Sequence, residues 1–425
     1  MIAWLTAALG SGLGAQDLGG EWQGALKAGA NQLRIIVKIA KADSGWNAKL
    51  FSIDQGPDFG AGMAFDTVSL QGSEVKMTLD AIRGKFEGKL SADGATLAGT
   101  WTQGLPLPFE LKRATPETAF KDPATHSLQF VTVDKDVKLE VLDWGGSGKP
   151  MVFLSGLGNS GHVFDKFAPK FTSQYHVYGI TRRGYGASSV PASGYAADRL
   201  GDDVIAVLDA LKLERPVLVG HSIAGEELSS IGSRHPERVA GMVYLDAGYW
   251  YAFYDKARGS LSLDLVELQR KLEALAGQPG SLPLIKELLE TTLPGFERDL
   301  REEKKSLETM PAMLRLAQGA TMPSVAKAII SGGQKYTKIP VPILAIYAVP
   351  HGYGAIPRGD EAARAAQDAH DEESTGAQAT AFEQGVPSAR VVRLAHADHF
   401  VFVSNEADVL REMNAFLAGL VPQIG

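Results

Sequence analysis

Hydrophobic residues change their rhythm once along this chain of 425 residues, near residue 127, and the change demands two folds in succession. From residue 18 to about 113, apolar and polar residues alternate in short runs. These are Gln32-Leu-Arg-Ile-Ile-Val-Lys-Ile, Asn47-Ala-Lys-Leu-Phe-Ser-Ile, Thr67-Val-Ser-Leu, Glu74-Val-Lys-Met-Thr-Leu, Gly84-Lys-Phe-Glu-Gly-Lys-Leu and Thr96-Leu-Ala-Gly-Thr-Trp-Thr. Ser44-Gly45, Gln71-Gly72 and Ala92-Asp93-Gly94 punctuate them as turns. A period of two gives each strand one apolar face, so an antiparallel sheet must curl or fold over to close its core. The expected N-terminal domain, residues 17–113, is a small all-β barrel or sandwich. Trp22 and Trp101 sit in similar glycine-flanked contexts near its two ends, which predicts that the terminal strands approach one another.

Residues 114–126 carry two prolines and few aliphatic side chains and read as a linker. Beyond them the apolar runs become continuous: Lys138-Leu-Glu-Val-Leu, Met151-Val-Phe-Leu, His176-Val-Tyr-Gly-Ile, Pro216-Val-Leu-Val, Gly241-Met-Val-Tyr-Leu, Val341-Pro-Ile-Leu-Ala-Ile and Arg390-Val-Val-Arg-Leu. Helical patterns lie between or after them, as at Leu200–Leu211 and Glu406–Leu417. Strands without strict alternation, separated by helices, are the signature of βαβ units and a mostly parallel sheet buried on both faces. Residues 250–338 interrupt the rhythm with helical segments at Leu263–Leu275, Leu282–Leu289 and Pro294–Gln318 and no strand, which suits a cap over the sheet.

Composition excludes several functions. With 45% hydrophobic, 21% charged and 8% aromatic residues, the chain has the make-up of a globular protein with large cores. The formal net charge is -7 and no long basic run occurs, so nucleic acid is not an expected partner. Cysteine is absent, which excludes thiol catalysis, cysteine-ligated zinc, iron–sulfur clusters and disulfides. Met1 to Ala15 form a short apolar run ending in small residues, the pattern of a shortened secretory signal peptide over residues 1–16. An exported protein, periplasmic or secreted, is expected on that ground. The run is too short to span a bilayer, and no later stretch is apolar enough to do so.

The chemistry concentrates at Val217-Leu-Val-Gly220-His221-Ser222-Ile223-Ala224-Gly225, an apolar strand running through Gly-Xaa-Ser-Xaa-Ala-Gly into helix formers. A strand-to-helix turn of this kind strains the backbone at Ser222, so its neighbours two positions away, Gly220 and Ala224, must be small. The turn lifts the hydroxyl off the sheet, and the helix that follows offers free N–H groups.

Four more segments extend the pattern: Leu154-Ser-Gly-Leu-Gly-Asn-Ser-Gly161, Thr181-Arg-Arg-Gly-Tyr-Gly-Ala-Ser188, Asp202-Asp-Val-Ile-Ala-Val-Leu-Asp-Ala-Leu and Ala397-Asp-His399-Phe-Val-Phe. With them, residues 127–425 resemble the α/β-hydrolase fold superfamily in its serine esterase and lipase-like branch. The N-terminal domain lies outside the resemblance. It implies a mostly parallel sheet flanked by helices, with a helical cap, and a nucleophile, acid and histidine in that chain order.

Ser222 is then the nucleophile and His399 the base. His396 is read as a loop residue and His221 as structural. The usual place for the acid is the loop after the seventh strand, Ala345-Ile-Tyr-Ala-Val-Pro-His351-Gly-Tyr-Gly, where no carboxylate occurs before Asp360. The end of the sixth strand offers Asp246, the preferred candidate, with Asp360 and nearby carboxylates as alternatives. Backbone N–H groups of Leu157 and Ile223 are the expected oxyanion donors, with Gly156 shaping the loop. The expected activity is cleavage of a small carboxylic ester through an acyl-enzyme, with no cofactor and no metal. Amide or peptide hydrolysis, cofactor-free perhydrolysis and a binding protein with a vestigial hydrolase domain remain as alternatives. A serine at position 222 argues against epoxide or haloalkane chemistry, for which that position holds aspartate. The aromatic run Gly248-Tyr-Trp-Tyr-Ala-Phe-Tyr254 lines an acyl pocket or packs the cap onto the sheet. Arg301-Glu-Glu-Lys-Lys and the acidic helix from Asp368 to Glu373 read as solvated surface, with His370 a weak metal candidate.

Overall fold

The computed structural model describes residues 17–28, 31–42, 45–52, 63–115, 118, 126–309, 324–354, 356 and 359–420. The expected signal peptide, most of the expected linker and the end of the expected Pro294–Gln318 helix lie outside the described residues. The chain divides into two compact units, one holding the first nine strands and the other including Asp122–Gly425.

The alternating N-terminal segments form β1 (Gly20–Ala28), β2 (Asn31–Ala42), β3 (Gly45–Ser52), β4 (Met63–Ala64), β5 (Thr67–Gln71), β6 (Glu74–Leu79), β7 (Gly84–Leu90), β8 (Thr96–Gln103) and β9 (Leu105–Arg113). Their order in one sheet is β4-β3-β2-β1-β9-β8-β7-β6-β5. The terminal strands β1 and β9 pair antiparallel, with Trp22 opposite Arg113. The edge strands β4 and β5 are separated in sequence only by Phe65 and Asp66, a span of at most about 11 Å. A flat sheet of this many strands would hold its edges nearly 40 Å apart (about 4.8 Å per step). The sheet therefore curls on itself, and the joint is hydrogen-bonded from Phe65 N–H to the Ala48 carbonyl at 3.0 Å and from Asp66 N–H to the Thr78 carbonyl at 2.8 Å. Of the two architectures open to the sequence, this is the barrel. Its interior holds Trp22, Met77, Phe86, Leu97, Trp101, Phe109 and Leu111, all buried.

The second unit carries β10 (Ser127–Asp134), β11 (Val137–Gly145), β12 (Lys149–Leu154), β13 (Tyr175–Ile180), β14 (Val217–His221), β15 (Gly241–Leu245), β16 (Ile343–Ala348) and β17 (Ala389–Leu394). Their order is β10-β11-β13-β12-β14-β15-β16-β17. β10, β11 and β13 pair antiparallel in turn, and β13-β12-β14-β15-β16-β17 are parallel throughout. Successive residues of the central strands serve opposite cores. Val152, Leu154, Leu218, Met242, Tyr244, Ile343, Ala345 and Tyr347 face one hydrophobic cluster. Met151, Phe153, Val217, Val219, Val243, Leu245, Leu344 and Ile346 face the other. Burial on both faces is why these runs show no alternation in sequence.

Helices cover both faces: α1 (Ala197–Ala210) before β14, α2 (Ala224–Arg234) after it, α7 (Glu361–Asp371) and α8 (Ala377–Gly385) between β16 and β17, and α9 (Val401–Ser404) and α10 (Glu406–Leu420) at the end. Between β15 and β16 the expected helical insert contains α3 (Leu261–Gly277), α4 (Leu282–Glu287), α5 (Leu293–Thr309) and α6 (Ser324–Ser331). Among the described residues no helix is long and apolar enough to cross a membrane. The turn after β13 is tied to α1 by a buried fork in which Arg183 donates twice to Asp203, both at 2.6 Å. This topology brings the carboxyl ends of β14, β15 and β16 to one edge of the sheet, where parallel α/β folds present their ligand sites.

Candidate active site

Ser222 directly follows β14 with φ of 54°, and α2 begins two residues later. The Ser222 N–H donates to the Leu245 carbonyl at 3.2 Å, which seats the turn against β15. The small neighbours have measurable reasons. A Cβ on Gly220 would lie 2.8 Å from Leu228 and 3.1 Å from Ala224. One on Gly225 would fall inside contact distance of the Ala247 backbone carbonyl oxygen. Gly225→Ala is therefore expected to cost about 2 kcal/mol or more, since backbone on both sides must shift. Chemical denaturation of the full chain would measure it, and an unchanged midpoint would contradict the close approach.

The Ser222 Oγ lies 2.9 Å from His399 Nε2, and His399 Nδ1 lies 2.6 Å from Asp246 Oδ2. Asp246 follows β15 with φ of 46° and is completely buried. Its Oδ1 accepts from the Ala348 N–H at 2.9 Å and from the Tyr249 hydroxyl at 2.8 Å. Its Oδ2 contacts His351 Nε2 at 3.3 Å as well as His399. Burial works against the charge of Asp246, and the hydrogen bonds from His351 and His399 outweigh it, holding the carboxyl well below the usual carboxylate range.

The loop from Ser155 to Gly161 closes on Ser222 from β12. A Cβ on Gly156 would lie 3.1 Å from the Ser222 Cβ, so glycine is what permits the approach. Leu157 follows Gly156 and Ile223 follows Ser222, so both expected oxyanion donors are chain neighbours of the two residues that make this close approach. Arg182, fully buried between β13 and α2, donates to Glu227 at 2.5 and 2.9 Å and to the Ser155 carbonyl at 2.9 Å. It thereby ties the loop to the helix behind Ser222. Behind the same loop, His162 lies 3.2 Å from Asp165 and 3.4 Å from Glu140. Burial opposes its charge, but the two carboxylates raise its pKa to about 9.

His221 is buried, and its Nε2 donates to the His399 carbonyl at 3.0 Å, bracing the loop that carries His399. Burial and the neighbouring His399 lower its pKa to about 3, so the ring is neutral. His396 points away from Ser222, its ring 4.8 Å from that of Tyr353 and its Nδ1 3.9 Å from Asp368. Asp360 is an exposed N-cap of α7, accepting from the Ala363 N–H at 3.0 Å. The aromatic run divides its work. Phe253 packs edge-on against Phe382, while the Tyr249 hydroxyl reaches Asp246 and Tyr251 interacts through its hydroxyl with Ser222. A polar cavity of about 690 Å³ borders this run at Tyr249 and Trp250, lined also by Arg298, Asp299, Glu302 and Glu373; its lining does not include Ser222 or His399.

Residues 149–406, a stretch that contains Ser222, Asp246 and His399, match the family model described as alpha/beta hydrolase fold. The chain belongs to the α/β-hydrolase fold family. Curated relatives of this chain include 3-oxoadipate enol-lactonase 2 of Acinetobacter baylyi, 32% identical over 117 residues, which are 27% of this chain and 43% of that protein. The non-heme chloroperoxidase of Streptomyces lividans is 36% identical over 120 residues, 28% of this chain and 44% of that protein. The chain spans less than half the length of the curated relatives it matches. A solved structure of E-2-(acetamidomethylene)succinate hydrolase is 18% identical with a TM-score of 0.43, covering 69% of this chain and 99% of that one.

Two parts of the site escaped the sequence. The acidic helix from Asp368 to Glu373 is not all surface in this α/β-hydrolase: Asp371 is buried and accepts from the His351 N–H at 2.7 Å. Helical spacing alone did not show that its last turn faces the sheet edge. The sequence set the aromatic run beside Asp246 without showing that Tyr249 reaches Asp246 and Tyr251 reaches Ser222, and it did not single out His351. The signal for His351 was present, because it stands in the loop where the acid was sought. Among the described residues, the groups whose histidine and carboxylate atoms converge within 4.8 Å are Asp246–His351–His399 and His126–His162–Asp165. Their internal contacts are the hydrogen bonds above and a contact of 3.0 Å between His126 Nδ1 and Asp165 Oδ1, and His370 belongs to neither.

Proposed function

We propose that this protein is a serine hydrolase that cleaves small carboxylic esters through an acyl-enzyme intermediate. The observation that carries the reading is the continuous line Ser222 Oγ, His399, Asp246, with contacts of 2.9 and 2.6 Å. His399 Nε2 takes the Ser222 proton as Oγ attacks the acyl carbonyl, and Asp246 holds the ring in the tautomer with Nδ1–H and stabilises the imidazolium that forms. The backbone N–H groups of Ile223 and Leu157 receive the negative charge of the tetrahedral oxygen. His399 then returns its proton to the departing alkoxide, and a water activated by the same ring releases the acid. Proton transfers balance within the pair, so the scheme calls for no cofactor.

The lactonase relative supports an ester substrate, because a lactone is a cyclic ester. The chloroperoxidase relative supports a second reading, cofactor-free perhydrolysis, in which peroxide replaces water in deacylation on the same Ser222. A fluorophosphonate probe is expected to label the full-length protein at Ser222 alone, with short esters turned over far faster than matched amides. Labelling at another serine, or amide turnover matching that of esters, would overturn the ester reading. Peracid formation from acetate and peroxide would favour the second.

A further inference from the structure

The loop after β16, where the resemblance leads one to look for the acid, presents His351 instead, and that ring is joined to the reacting groups. Its Nε2 is 3.3 Å from Asp246 Oδ2, the oxygen that also contacts His399. Its Nδ1 is 3.2 Å from Asp371 Oδ2, and the same carboxylate oxygen accepts the His351 backbone N–H at 2.7 Å. Asp371 is itself held by Gln367 Nε2 at 3.1 Å. The line of contacts runs Asp371, His351, Asp246, His399, Ser222.

We infer that His351, clamped by Asp371, is a positioning residue of the active site: a cationic imidazole that orients the Asp246 carboxylate and damps its pull on His399. The inference rests on the serine-hydrolase reading. It follows from which atoms face each other. Both ring nitrogens of His351 meet carboxylate oxygens, and a neutral imidazole has only one N–H to offer. Satisfying both contacts requires the doubly protonated ring. The surroundings agree, since burial opposes the charge but hydrogen bonds from Asp246 and Asp371 raise the pKa to about 10. The titratable groups facing His351 are Asp246 and Tyr249 after β15, Asp371 at the end of α7 and, across Asp246, His399.

The cation has two consequences. It fills the remaining acceptor position on Asp246 Oδ2, so the carboxylate cannot rotate away from His399 without leaving a buried ion unpaired. It also places a positive charge one carboxylate away from the base, so removing that charge leaves Asp246 a stronger counterion for the imidazolium formed during turnover.

Two substitutions separate these roles. His351→Gln retains a side-chain N–H within reach of Asp246 but removes the charge, whereas His351→Leu removes both. With p-nitrophenyl acetate as probe, Leu is expected to lower kcat about 50-fold at unchanged KM, and Gln to recover most of that loss. In the Gln enzyme the acidic limb of kcat/KM is expected to move about half a unit or more toward higher pH. Asp371→Asn, which unclamps the ring without touching Asp246, is expected to lower kcat about tenfold. Melting curves on each variant establish that it is folded, and the Gln and Asn variants carry the test if Leu is not. An unmoved limb in the Gln enzyme, with kcat undiminished in the Asn enzyme, would overturn the inference. If Ser222→Ala retained turnover, the hydrolase reading itself would fall, so the two failures are distinct.

Discussion

Turnover of short p-nitrophenyl esters is expected to fall by roughly 10⁴-fold or more when Ser222 is replaced by alanine, the scale of loss seen when a reacting nucleophile is removed. The expectation follows from the site's economy of parts. Ser222 is the hydroxyl 2.9 Å from His399 Nε2, and its left-handed backbone aims it away from the sheet. Alanine tolerates the same turn no worse than serine, so the fold is expected to survive and the loss to read as chemistry. His399→Ala should cost a similar factor, and the double variant little more than either, because the two act in one proton transfer. Residual turnover would come from binding and the backbone donors. Steady-state kinetics on all three, with fluorophosphonate labelling as a count of intact sites, measures this. Full activity in Ser222→Ala would remove the mechanism.

The second large effect is expected at Asp246. Asp246→Asn should lower kcat by about 10⁴-fold, whereas Asp360→Asn should leave it within about twofold. Asp246 is buried and accepts from His399, His351, the Ala348 N–H and Tyr249. An amide in its place has one acceptor oxygen. It must turn its NH₂ group toward either the Ala348 N–H and Tyr249 side or the two imidazoles. Facing the imidazoles, it selects the His399 tautomer with the proton on Nε2, which cannot accept from Ser222. Facing the other side, it opposes the Ala348 N–H with another donor. Either way the half-buried His351 cation loses a counterion, so a fall in stability should accompany the fall in rate. Asp360 is exposed at the start of α7, and asparagine caps a helix about as well as aspartate. The reverse ranking in kinetic assays would move the acid to the later loop.

Both predictions bear on how much of the protein was legible before any coordinates. The two rhythms of apolar residues are local properties of the chain, and each element they announced is present where it can be described. The tight turn at Ser222 was legible for the same reason. Strain at Ser222 restricts its immediate neighbours, and that restriction is written within a few positions of sequence, at Gly220, Ala224 and Gly225. The aspartate beside His399 was harder to pick. Asp246 and Asp360 are both aspartates near a strand end or loop, and nothing local distinguishes a buried acceptor of four hydrogen bonds from an exposed helix cap. The choice between barrel and sandwich was equally out of reach, because alternation specifies that one face is covered but not by what. It turned on the two-residue joint at Phe65 and Asp66 between edge strands.

What the residues settle alone, then, is what neighbours in the chain impose on each other: strand and helix periods, the tight turn at Ser222, and the exclusion of thiol chemistry by the lack of cysteine. What required the folded chain is every relation between distant segments. Asp246 and His399 are 153 positions apart, and His351 and Asp371 come to lie beside them only because β15, β16 and α7 end at one edge of the sheet. Hydrogen bonding depends on angstroms in space, and sequence separation carries no record of them until the sheet order is known.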